Sequence, residues 1–309
     1  MITNFLELAQ LDVSSKPTWI YDVAFVGIPI DDRGRLSVNK AMDAATRTVE
    51  VSYDAEAFTL IVNGDVFTAN NRGFRNLLSI FPATRILLDA STLEFPEMLL
   101  LIKAFLSAEP LEIGFLYVEP DLYEERRGPE AEDLHAFALR DGYRTFTPIP
   151  GFTPMLSDTR KARLLAFVGF ESTRLRRVLF EDEGARINAF SVVFGVPPFR
   201  ASWEMHAFMQ NANILKEPAL EEVLFVGANN PRATYNLICK VAGCCPNSEV
   251  MTLAPLGTKP MSIGAALYAA QYPTGIRVIY DYPKTRPNCT RGIGKIHHYT
   301  VRITARVAA

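Results

Sequence analysis

The run Gly257-Thr258-Lys259-Pro260-Met261 carries the sharpest chemistry in this chain of 309 residues. A glycine lets backbone approach a ligand, a hydroxyl follows, and a lysine stands where a helix begins. Together these residue types compose a phosphate-binding corner. It is not a P-loop, because the earlier glycine that motif requires is absent and Pro260 replaces its Ser or Thr. The other reading is a tight strand-to-helix turn whose lysine is solvated.

Three more turns follow apolar runs in the same half. They are Gly169-Phe170-Glu171-Ser172-Thr173-Arg174, Gly195-Val196-Pro197-Pro198-Phe199-Arg200 and Gly227-Ala228-Asn229-Asn230. In an open parallel sheet the ligand lies outside the carboxyl ends of the strands, so these turns predict a crevice floored by backbone. Free N–H groups at the starts of the following helices favour an anion there. The expected ligand contacts are Gly169, Glu171, Ser172, Thr173, Arg174, Gly227, Asn229, Asn230, Gly257, Thr258 and Lys259. Asn230 just before Pro231 also reads as a helix cap.

Other chemistry-bearing residues are more scattered. Asp89 ends a strand and is followed by Ser91 and Thr92, so it can take a ribose hydroxyl or a metal, or the group can cap the next helix. Glu119 ends the next strand and is a candidate partner for Asp89 in a carboxylate pair. Gly27-Ile28-Pro29-Ile30-Asp31-Asp32-Arg33 lacks the spaced glycines of a dinucleotide-binding turn, so no cofactor is expected. His297 and His298 adjoin Arg291-Gly292-Ile293-Gly294-Lys295, where basic residues and two glycines can close over a phosphate, or which reads as an exposed loop leading to an edge strand. Trp203 and His206 lie one helical turn apart and read as packing. His135 has no visible partner. Cys239, Cys244, Cys245 and Cys289 show no zinc spacing and read as reduced thiols, so no metal is expected.

The elements that must position these residues follow the rhythm of strand, turn and helix. In the first half strands are expected at Tyr21–Gly27, Thr48–Tyr53, Thr59–Val62, Arg85–Leu88 and Glu112–Val118, with helices at Asn71–Phe81 and Pro96–Ser107. A charged and then Pro- and Gly-containing stretch follows, with one short helix around Ala131–Arg140. In the second half Leu164–Phe170, Ile187–Phe194, Glu222–Gly227, Val250–Pro255 and Arg277–Tyr282 read as strands buried on both faces. Helices are expected at Thr173–Glu183, Ser202–Lys216, Pro231–Ala242 and Lys259–Tyr272, and an alternating edge strand at His298–Ala305. The fold class is α/β, with two Rossmann-like units of mainly parallel sheet and helices on both faces. The expected division is 1–120, a linker or insertion over 121–160, and 161–309.

The run APLGTKPMSIGAALYAA resembles the strand, turn and helix of the CRISPR-associated Rossmann fold (CARF) domain, which senses cyclic oligonucleotides. The resemblance covers about residues 160 to 285, with one sharp motif. It implies that Lys259 and Thr258 lie near ligand phosphates, that Ser172 or Thr173 lines the same pocket, and that the domain pairs as a homodimer in antiviral defence. Ser172 with Lys259 would resemble the hydroxyl and lysine of stand-alone ring nucleases, where positioning and charge assist cleavage by a ribose hydroxyl. Ala254-Pro255-Leu256 departs from the family's usual Asn and paired Gly. A wider bacterial Rossmann-like family is an equal description. Simple binding, turnover of the ligand and a non-catalytic interaction scaffold all remain open at this point.

Composition narrows the partners. The chain is 49% hydrophobic and 21% charged, with 32 Lys and Arg against 34 Asp and Glu. That balance gives no basic face for bulk duplex DNA. The start of the chain lacks the features of a signal peptide. The most apolar run, Met98 to Phe105, is interrupted by Lys103 and falls well short of the about 20 residues that span a bilayer. No membrane partner and a cytoplasmic location are expected, with a nucleotide-like small molecule as ligand.

Overall fold

A computed structural model describes residues 2–106, 111–123, 140–143, 148–153, 161–180, 187–285 and 290–304. The chain divides into two compact units, Met1–Leu122 with Thr290–Ala309, and Tyr123–Cys289. The class is mixed α/β. Among the described residues no helix is long and apolar enough to cross a membrane.

The first unit begins with β1 (Ile2–Leu11), β2 (Tyr21–Val26), α1 (Asp32–Ala44), β3 (Ala45–Asp54), β4 (Thr59–Val62) and β5 (Asp65–Thr68). It continues through α2 (Asn71–Ile80), β6 (Arg85–Asp89), α3 (Phe95–Phe105) and β7 (Leu111–Tyr123). Asp31 caps α1 by accepting from Gly34 N at 2.8 Å, and Asn70 caps α2 by accepting from the Arg72 and Gly73 amides. Asn63 and Gly64 turn β4 into β5 with φ of 49° and 87°, the left-handed pair that tight hairpins need. All of α3 is buried except Lys103, which marks it as a central helix rather than an amphipathic one.

The second unit holds β8 (Arg140–Tyr143), β9 (Lys161–Phe167), α4 (Ser172–Phe180), β10 (Ile187–Gly195), α5 (Trp203–Asn211) and β11 (Leu220–Val226). Then come α6 (Pro231–Cys244), β12 (Glu249–Pro255), α7 (Lys259–Gln271), β13 (Ile276–Val278) and β14 (Pro283–Thr285). Strands β9 to β13 form one sheet in the order β11-β10-β9-β12-β13, parallel throughout, while β14 pairs antiparallel with β8. Leu175 and Val178 of α4 and Ala207 of α5 join Leu164, Ala166, Phe190, Val192 and Phe194 in one core cluster. Those strand residues alternate, so α4 and α5 cover one face. Helix α7 contacts β12 and packs on α6, where a Cβ at Gly264 would come 2.6 Å from Pro231 O.

The chain then returns to the first unit as β15 (Thr290–Thr304). The first sheet runs β1-β15-β7-β6-β2-β3-β4-β5. Its central β7, β6, β2 and β3 are parallel, β3-β4-β5 is an antiparallel meander, and β1 pairs antiparallel with β15.

Several expectations change here. The final strand is antiparallel to a neighbour, as its alternation suggested, but it is not an edge and does not close the second half. It lies between β1 and β7, and the unforeseen β1 takes the edge. Helix α1 was also not expected. The helix expected at 131–140 falls on residues outside those described up to Arg140, which opens β8.

Candidate functional site

In the second sheet the chain moves outward from β9 through β10 to β11, then crosses to β12 and outward again to β13. Neighbouring β9 and β12 are therefore the strands where the winding direction reverses. Their following helices, α4 and α7, leave by opposite faces, and this reversal is where an open α/β sheet admits a ligand.

The turns at this end are stitched together. Ala228 N donates to Pro197 O at 2.9 Å, and Thr258 Oγ1 donates to Ala228 O at 2.6 Å. The loops after β10, β11 and β12 thus form one connected rim. Gly169 and Gly257 sit side by side across the reversal. A Cβ at Gly169 would meet Leu256 O at 3.6 Å and Gly257 Cα at 4.0 Å, whereas one at Gly257 would strike Met261 Sδ at 2.8 Å.

Among the expected contacts, Ser172 and Thr173 open α4 and Lys259 opens α7 after the Thr258 cap. Lys259, Ser172 and Glu171 are half-buried, and Thr173 is exposed. Thr258 is occupied as a structural residue: its oxygen accepts from Met261 N at 3.4 Å while its proton goes to Ala228. Ser262 N bonds to Thr258 O, and Pro260 has no N–H. The first turn of α7 therefore offers few spare amides, and its contribution to an anion falls to the Lys259 side chain and the dipole. Asn230 is the expected cap of α6, accepting from Ala233 N at 2.9 Å, and Asn229 beside it is exposed. A Cβ added at Gly227 would lie 3.4 Å from the Asn230 Cβ.

Arg174 belongs to the framework beneath the crevice. Its guanidinium is buried and donates to both Asp281 oxygens at 2.9 and 2.7 Å and to Leu256 O at 3.1 Å. Burial opposes its charge, and the Asp281 carboxylate more than restores it, raising its pKa. Two residues that sequence reasoning missed complete the frame. Asp281 falls inside the expected Arg277–Tyr282 strand, which the structure ends at Val278, although a carboxylate closing an apolar run is a signal in itself. Asn211, at the end of α5, donates from Nδ2 to Gly169 O at 3.0 Å, and nothing in its sequence neighbourhood marks that role.

The equivalent reversal in the first sheet, between β2 and β6, is filled by its own chain. Gly27 N donates to Thr92 Oγ1 at 2.8 Å, and a Cβ at Gly27 would lie 2.5 Å from Thr92 O. Asp89 is fully buried and accepts from Ser37 Oγ at 2.5 Å, Thr92 Oγ1 at 2.6 Å and Ser91 N at 3.0 Å. Burial raises its pKa against those hydrogen bonds. Neither Ser91 nor Thr92 caps α3, whose N-cap is Glu94. Glu119 meets His297 Nε2 at 2.5 Å, so its partner is a histidine rather than the expected Asp89. His297 and His298 are 3% and 0% exposed, which corrects the expected exposed loop: β15 is an interior strand and carries both inward.

Trp203 packs at the same end of the second unit, with Phe170 and Tyr123 at ring-centroid distances of 5.9 and 5.0 Å. Cys239, Cys244 and Cys245 are not joined in disulfides. Among the described residues no group of three or more His, Cys, Asp or Glu side chains is arranged to hold a metal. No protein-family model matches the chain, and no curated protein matches it.

Proposed function

We propose that the second unit is a Rossmann-like binding module for a nucleotide or another phosphorylated small molecule, seated at the reversal between β9 and β12. The adjacency of the Gly169 and Gly257 turns carries this reading, because it brings two helix starts together at the point where the winding of the sheet reverses. The filled crevice of the first unit supports the choice of unit. Lys259 neutralises the phosphate, while Arg174, Asp281 and Asn211 hold the turns in place. On the CARF resemblance the ligand is a cyclic oligonucleotide, bound by a homodimer in antiviral defence.

A thermal-shift series with the full chain tests the reading, since a ligand that binds the native state raises its melting temperature by mass action. Linear and cyclic oligonucleotides are the probes. A shift with one of them should weaken in Lys259→Ala by about tenfold or more in affinity, the usual loss for a charge-assisted contact. Absence of any shift with well-folded protein would overturn it. Product analysis on the same mixtures reads turnover: cleavage lost in Ser172→Ala as well as Lys259→Ala would convert the module into a phosphodiesterase.

A further inference from the structure

The first unit has a recess of about 410 Å³ at the amino-terminal end of its parallel strands, away from the filled crevice. Glu7, Trp19, Tyr21, Arg85, Glu112 and Thr300 are among its lining residues. Its wall already displays one cation–aromatic–carboxylate set. The Arg85 guanidinium lies 5.5 Å from the Tyr21 ring centre, and Glu112 is its counter-ion at 3.0 Å. Trp19 and Glu7 repeat the aromatic and the carboxylate.

What stands behind Trp19 is His298, stacked on the indole with ring centroids 3.6 Å apart. Its Nε2 is 2.8 Å from Tyr21 Oη, while its buried Nδ1 has no hydrogen-bond partner among the described residues. The nearest carboxylate oxygen, Glu7 Oε2, is 3.6 Å from that nitrogen. Burial pushes the His298 pKa down to about 3, so the imidazole is neutral and gives Glu7 no counter-charge. Glu7 itself is half-exposed. Glu112 is shared between Arg85 and Arg302, and Asp22 accepts from the Thr84 and Arg85 amides. The charged side chains lining the recess are two carboxylates, Glu7 and Glu112, and one guanidinium, Arg85, which Glu112 already pairs.

An indole beside an unneutralised carboxylate is the chemistry that recognises an organic cation, by attraction to the ring face and a charge-assisted hydrogen bond. We propose that this recess binds an ammonium or guanidinium group between Trp19 and Glu7. The group belongs either to a small amine or to an arginine side chain of a peptide.

Calorimetric titration of the full chain with agmatine, and separately with acetyl-Gly-Arg-Gly-amide, tests the site and separates the two sources. Saturable binding is expected, weakened about tenfold by Glu7→Gln through loss of the charged partner and removed by Glu7→Lys through repulsion. Binding of agmatine without the peptide identifies a small amine, and the reverse identifies an arginine of a partner chain. No saturable heat with either probe, or binding that Glu7→Gln leaves unchanged, overturns the proposal. Because Glu7 is half-exposed, both variants should melt like the wild type, which keeps a negative result meaningful.

Discussion

Arg174 and Asp281 show how much of a binding crevice is buried framework. Removing one partner of a buried ion pair leaves an uncompensated charge, at a cost of about 3–5 kcal/mol. Asp281→Asn should therefore lower the denaturation midpoint strongly in equilibrium unfolding, while Lys259→Ala should leave it nearly unchanged. His298 sets a second residue-level expectation. Its folded pKa of about 3 lies below the ordinary 6.5, so the unfolded chain binds the extra proton. Its contribution to stability is present above about pH 6.5 and is lost as pH falls toward 3, each tenfold difference in proton affinity being worth about 1.4 kcal/mol. Melting temperature against pH should fall less steeply over that window in His298→Gln than in the wild type. At this scale the sequence was informative where local spacing acts, as in the Asn230 cap and the Gly257 turn. It was silent where partners are far apart in the chain, as for Arg174 with Asp281 and Glu119 with His297.

Elements were legible where burial demanded large apolar side chains. The expected Ile187–Phe194 and Val250–Pro255 runs differ from β10 and β12 by one residue at one end. Helix α1 escaped because its buried stripe is Gly34, Ser37, Ala41 and Ala44, residues too small to register as hydrophobic periodicity. The same close approach operates between α6 and α7, where Gly264 faces Pro231 O and the Thr234 side chain. Backbone cannot retreat as a flexible side chain can, so Gly264→Ala should destabilise the protein by about 1–3 kcal/mol through overpacking. The more exposed Gly243→Ala, whose added Cβ meets nothing within 4 Å, should be neutral or slightly stabilising in the same unfolding assay.

For the molecule as a whole, the second unit is inserted into the first between β7 and β15. The sequence suggested two α/β halves in succession, because strand pairing between residues near opposite ends of a chain leaves no local trace. A chain stopped after residue 289 should lose the ordered first unit, since β1 and β7 would be left without the strand between them. Circular dichroism and a lost or broadened thermal transition would read this out.

The interior position of β15 also dictates an order of events during synthesis. The second unit leaves the ribosome with all its strands and can close while the chain is still growing. The first unit, begun earlier, must hold β1 and one side of β7 unpaired until the last strand emerges. Its exposed strand edges are then templates for pairing with other chains, so the interval of greatest aggregation hazard is set by the time taken to translate the unit that comes between.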